Sequence, residues 1–189
     1  MGLLIVYICW GIVAATWLVG ALYNARKAPK TLGRSRFQPW TGWVLAAVAL
    51  WSANRFVPAS VWARLTFHNP ILSSIGVALL VASTAFTVWA RWTLGTMWSS
   101  VPTVREHHEL RTHGPYRLTR HPIYTGLLGM LLGTALINGF GMVLLALLGI
   151  LGVFVVNIWR EERLMQATFG EQYERYCREV PRLVPFTRL

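Results

Sequence analysis

Long apolar runs separated by short basic stretches set the pattern of this chain. Leu3–Tyr23, Trp40–Val57 and Ile71–Trp92 are nearly uninterrupted in apolar residues, and about 20 such residues of helix cross a bilayer. A fourth run, from Pro122 to Trp159, is too long for one crossing and is broken by Asn138-Gly139-Phe140-Gly141. Dividing it there gives Pro122–Ile137 and Met142–Trp159, each about 24–27 Å long at 1.5 Å per residue. The pattern predicts an all-α integral membrane protein. It has five transmembrane helices, the last two folded as a tight helical hairpin, in a single membrane domain over residues 1–189.

Between the spans the polar stretches have distinct characters. Lys27 to Gln38 is basic, contains Pro29 and Gly33, and reads as a surface loop. Phe56 to Asn69 is moderately amphipathic and suits an interfacial position. Residues 93–121 are polar and too long for a mere connector. Beyond the last span, Glu161–Phe169 continues as helix to Gly170. A second helix over Glu171–Val180 follows, with Tyr173, Tyr176, Cys177 and Val180 on one face, which predicts docking on the membrane domain. Pro181 and Pro185 end it.

Composition supports this reading: 54% of the 189 residues are hydrophobic and 13% are charged, with a mean hydropathy of +0.45. The net charge of +11 is not that of a nucleic-acid binder, because of where it lies. Sixteen of the 18 Lys and Arg residues fall between spans one and two, at the end of span three and between spans three and four, or after span five, and only Arg55 and Arg64 lie on the other side. This positive-inside bias predicts an external N-terminus and a cytoplasmic C-terminus. Leu3–Tyr23 has no preceding basic residue and no small-residue cleavage pattern after it, so it reads as a span rather than a signal peptide. The two cysteines, Cys9 and Cys177, are separated by this topology. With no Asp and no CxxC or Cys/His spacing, no metal site is expected.

The chemistry concentrates at one membrane face. GPYRLTRHPIYTG, Gly114 to Gly126, opens span four, and Glu161–Glu162 close span five. Antiparallel helices joined by a short turn are neighbours, so Arg120, His121, Tyr124, Arg160, Glu161 and Glu162 are expected at one level near the water–lipid boundary. Adjacent glutamates point about 100° apart on a helix, which predicts that only one of the two faces a shared pocket. Ionisable groups at membrane depth need partners. An Arg–Glu pair across the hairpin would provide them, and so would a ligand with an amino-acid-like head, ribose hydroxyls and an adenine ring. Arg163 reads as a snorkelling interface charge, and His107 and His108 as solvated loop residues.

GPYRLTRHPIYTG, followed by EERLMQATFGEQYERYCREVPRLVPF and preceded by LGTMW at Leu94–Trp98, resembles the isoprenylcysteine carboxyl methyltransferase family. The wider superfamily of integral membrane methyltransferases includes phospholipid N-methyltransferases. The resemblance covers roughly Leu94 to Phe186. It implies use of S-adenosyl-L-methionine, bound by residues 93–121 and 160–189 together with the last two spans, and a lipophilic or prenylated substrate entering from the membrane lipid. Carried over by motif, His121, Tyr124, Glu161 and Glu162 contact the cofactor, Gly114, Pro115 and Tyr116 shape the wall around it, and Arg120 is the catalytic candidate, orienting a substrate or methionine carboxylate. Where eukaryotic members carry an arginine inside the last helix, this chain reads VFVVNIW, with Asn157 the nearest polar group.

The expected activity is therefore methyl transfer to a lipid-like or prenylcysteine-like acceptor at the cytoplasmic face, with carboxylate O-methylation favoured. The competing readings are a phospholipid N-methyltransferase, an NADPH-dependent membrane enzyme of sterol-reductase type, and a non-catalytic scaffold whose tail binds a protein.

Overall fold

The computed structural model describes residues 2–27, 31–34, 55–66, 69–98, 103–105 and 109–187, with single positions between 44 and 52. The expected span Trp40–Val57 lies largely outside the described residues, as do His107 and His108. Helix α1 runs over Gly2–Lys27, α2 over Ala59–Leu65 and α3 over Pro70–Leu94. Helix α4, Pro122–Asn138, and α5, Gly141–Phe169, are joined only by Gly139–Phe140, and α6 covers Glu171–Glu179. Among the described residues the strand pairing is one antiparallel ribbon, β1 (Thr31–Arg34) against β2 (Thr103–Arg105), tying together two polar segments that were expected to be loops in an all-α fold.

The helices form where the apolar runs predicted, for local reasons that are visible. Asn69 caps α3 by accepting hydrogen bonds from the Ile71 and Leu72 backbone N–H groups, and Pro70 occupies the first helical position. Hydroxyls inside the apolar helices are satisfied without water: Thr84 donates to the Leu80 carbonyl and Thr87 to that of Ser83. Gly2–Lys27 and Pro70–Met97 are long and apolar enough to cross a membrane. Leu4, Tyr7 and Leu18 on α1 stay exposed, a surface that acyl chains accommodate and water does not.

Helices α3 and α4 are in unusually close contact, and the small residues on α4 are the reason. A Cβ on Gly133 would lie 2.8 Å from the Gly76 carbonyl oxygen and 2.8 Å from the Leu80 nitrogen. Backbone approaches backbone here, as small residues permit in membrane helix pairs. The glycine face of α4 is thus filled by α3 of the same chain. Val6, Cys9, Val13, Leu80, Met130 and Ile137 make the core among α1, α3 and α4. Helix α6 docks as its stripe predicted, with Tyr173, Tyr176 and Val180 buried against Leu110, Met165 and Phe169.

Candidate active site

The site stands where α4 begins and α5 leaves the apolar layer. Gly114–Arg117 forms a short 3-10 turn whose first residue has φ +60°, a conformation that favours glycine. Pro115 and Tyr116 are buried behind it. Helix α6 secures this turn, the Tyr176 hydroxyl donating to the Tyr116 carbonyl at 2.6 Å.

From there the chain enters α4 through Arg120 and His121, held by a segment that sequence reasoning missed. After α6 the chain lies against residues 119–125 and accepts their hydrogen bonds. The Arg120 N–H donates to the Pro181 carbonyl at 2.8 Å and the His121 N–H to that of Arg182 at 3.2 Å. The hydroxyls of Thr119 and Thr125 donate to the carbonyls of Arg182 and Leu183 at 2.8 and 2.6 Å. His121 offers no side-chain cap to α4, so this strap, rather than a local signal, fixes the entry.

His121 is the hub. Its Nδ1 is 3.5 Å from Glu161 Oε2 and its Nε2 is 3.2 Å from Glu162 Oε1. The expectation that only one glutamate would face the pocket is corrected by this geometry. The imidazole presents its two nitrogens on opposite edges, and the 100° between successive α5 side chains matches that divergence. The Tyr124 hydroxyl donates to Glu161 Oε1 at 2.7 Å, and its ring rests on Phe154, with centroids 4.7 Å apart.

The two glutamates are nonetheless unlike. Glu162 is gripped by Arg182 through Nε at 3.2 Å and Nη2 at 2.7 Å, and approached by Arg120 Nη1 at 3.3 Å. Burial pushes its carboxyl up, but hydrogen bonds from His121 and Arg182 and the charge of Arg120 outweigh that and hold it at about 2. Glu161 has no arginine partner among the described ion pairs, and its side chain is 33% exposed against 12% for Glu162. Burial disfavours the charged form of His121, yet hydrogen bonds and charge from both glutamates outweigh it and raise its pKa above the ordinary value. Burial, then the charge of Glu161, raises the Tyr116 phenol above its ordinary value.

The structure brings Arg120, His121, Tyr124, Glu161 and Glu162 into one connected network, with Gly114, Pro115 and Tyr116 beside it. Arg120 is already engaged: its Nη1 donates to Cys177 Sγ and pairs with Glu162, while its Nε is buried without a hydrogen-bond partner. Arg163 stacks over Trp159 at 3.7 Å, as an interface charge would.

Bilayer-type helices that gather an imidazole, two carboxylates and a phenol at one common end define a helical membrane protein with a charge-rich polar site. Residues 72–172 match the family described as Phospholipid methyltransferase, more than half of the chain, and the chain belongs to that family. It is similar to Protein-S-isoprenylcysteine O-methyltransferase B of Arabidopsis thaliana, 32% identical over 127 residues, covering 61% of this chain and 60% of that protein. The A form from the same plant is 34% identical over the same share of each chain. Among solved structures it is similar to the eukaryotic intramembrane Ras methyltransferase isoprenylcysteine carboxyl methyltransferase. The TM-score there is 0.56 and the identity 26%, over 80% of this chain and 55% of that one. The chain thus spans about 60% of the length of the curated relatives it matches.

Proposed function

We propose that this protein transfers a methyl group from S-adenosyl-L-methionine to the carboxylate of a prenylcysteine-like acceptor at the cytoplasmic membrane face. The observation that carries the reading is the convergence of His121, Tyr124, Glu161 and Glu162 in one network at the mouth of the hairpin. Names of the similar proteins point the same way. The fold is read as five spans with the N-terminus outside, the charge-rich ends of α4 and α5 and the tail lying on the cytoplasmic side.

The donor set fits the cofactor. The ligand is cationic and rich in hydroxyls, and the half-exposed Glu161 carboxylate, ordered by Tyr124 and His121, suits its ammonium or ribose groups. The buried, unpartnered Nε of Arg120 suits a methionine carboxylate. Gly114, Pro115 and Tyr116 form the adjoining wall. When bound, S-adenosylmethionine supplies an electrophilic methyl group on a sulfonium. The side chains bind, orient and exclude water. A carboxylate acceptor is already an anion, so no residue has to remove a proton. That agrees with a His121 whose two ring nitrogens already face Glu161 and Glu162.

Equilibrium binding of S-adenosylhomocysteine to the detergent-purified protein tests the reading. Micromolar affinity that is lost in Glu161→Ala supports it, and absence of binding refutes it. Labelled methyl transfer then separates the acceptors. Methylation of N-acetyl-S-farnesylcysteine is expected, whereas product from phosphatidylethanolamine alone would replace O-methylation by N-methylation, the chemistry the family description suggests.

A further inference from the structure

Among the described residues, Phe186 is the one non-glycine position with a positive φ, +65°. A bulky side chain in that left-handed region is strained. The strain belongs to a turn over residues 184–187, in which the Thr187 N–H and hydroxyl both donate to the Val184 carbonyl, at 3.4 and 2.7 Å. Pro185 takes the second position and Phe186 the third, where a turn with positive φ normally has glycine. The turn buries neither of its apolar side chains in the protein: Val184 is 58% exposed and Phe186 88%. An aromatic ring held outward on a strained backbone points to a partner outside the chain.

Where the turn sits follows from the strap that leads to it. The carbonyls of Pro181, Arg182 and Leu183 accept, in that order, from the Arg120 N–H, the His121 N–H and the Thr125 hydroxyl. The strap therefore runs in the direction of α4, and by Leu183 it has passed one helical turn, about 5 Å, from the charged site toward the apolar layer. Its side chains alternate along the way: Arg182, Val184 and Phe186 are exposed, while Pro181, Leu183 and Pro185 are half-buried. The outward row thus changes from a cation, level with the Glu162 it grips, to two apolar groups on the side of the apolar layer. That is the order of headgroup and acyl regions in a bilayer, and apolar side chains of interfacial segments reach about 5–10 Å into this boundary. The backbone suits such a depth, since Pro185 has no N–H to leave unpaired and the Val184 carbonyl is satisfied twice.

We propose that residues 184–187 form a membrane anchor, with Val184 and Phe186 seated among phospholipid acyl chains just beneath the headgroups. Burial of the ring in lipid offsets the strained backbone. A second copy of the chain is a poorer occupant, because two side chains offer far less area than a stable protein interface needs. The anchor secures the strap whose carbonyls fix the entry to α4, and so ties the order of the site to contact with the bilayer. The inference goes beyond methyl transfer and holds whatever ligand the site takes.

The test uses the full chain in phosphatidylcholine nanodiscs, with the photoreactive p-benzoylphenylalanine in place of Phe186. Irradiation is expected to give a protein–phospholipid adduct, read by intact mass, in a yield like that of the same probe at Trp159, which is exposed on α5. The probe at Gln172, exposed on the polar face of α6, should give much less. A yield at position 186 no greater than at 172 overturns the inference, as does a cross-linked dimer in place of the lipid adduct. Phe186→Gly supplies a second readout, because glycine relieves the positive φ. A Phe186 without a partner makes Tm in nanodiscs equal or higher in Phe186→Gly, and that result also overturns the inference. The anchor instead makes it lower by about 2–4 °C, with most of the loss recovered in Phe186→Leu, which restores an apolar side chain.

Discussion

Replacing Glu162 by glutamine removes the one carboxylate that Arg120, His121 and Arg182 share, while keeping its shape. In the folded protein this carboxyl titrates at about 2 against an ordinary 4.5. A carboxyl depressed on folding contributes stability that is fully present above 4.5 and is lost as pH falls toward 2. That interval is worth about 3 kcal/mol at about 1.4 kcal/mol per pH unit. Most of this is set by the buried contacts with His121 and Arg120, since the Arg182 side chain is 56% exposed and solvent weakens its share. For a domain of this size about 3 kcal/mol corresponds to about 6–12 °C in Tm. Thermal unfolding in detergent, followed by circular dichroism from pH 6 down to pH 2.5, measures it. The parent protein should lose most of that margin in the window, whereas Glu162→Gln starts lower and declines much less. Parallel pH profiles for the two proteins would refute the claim that Glu162 is the acid-sensitive keystone.

His121 carries the opposite sign. Its pKa is raised on folding, so its contribution is complete below 6.5 and disappears as pH rises through the folded value; thermal scans from pH 6 to pH 9 should show a decline that His121→Gln lacks. Tyr124→Phe deletes a 2.7 Å hydrogen bond to a carboxylate, and S-adenosylhomocysteine binding by calorimetry should weaken by about tenfold or more with the fold intact. Gly133→Val drives a side chain into the backbone of Gly76 and Leu80; the cost should be about 1–3 kcal/mol or more in Tm-derived stability. Gly149→Ala, which points into open space, should leave that stability unchanged or slightly higher.

The break between α4 and α5, the C-terminal helix and the meeting of His121, Tyr124, Glu161 and Glu162 were legible because they depend on short-range geometry: a four-residue break, a period of 3.6 and charges at the ends of apolar runs. Three features were not. The strap at Pro181–Leu183 acts through carbonyl groups, which every residue possesses, so no side-chain pattern marks it. Arg91 at the end of an apolar run looks like any cytoplasmic anchor, and only its burial against Gly20 shows that it turns inward. The β1–β2 ribbon joins segments about seventy residues apart with no alternation to signal it.

Because the strap supplies main-chain oxygens, the side chains at Pro181 and Leu183 are free to drift among relatives, while spacing is not. Gaining or losing one residue between Gly170 and Pro181 would put the carbonyls out of step with Thr119, Arg120, His121 and Thr125. Natural variants of this region should therefore differ widely in letters and hardly at all in length.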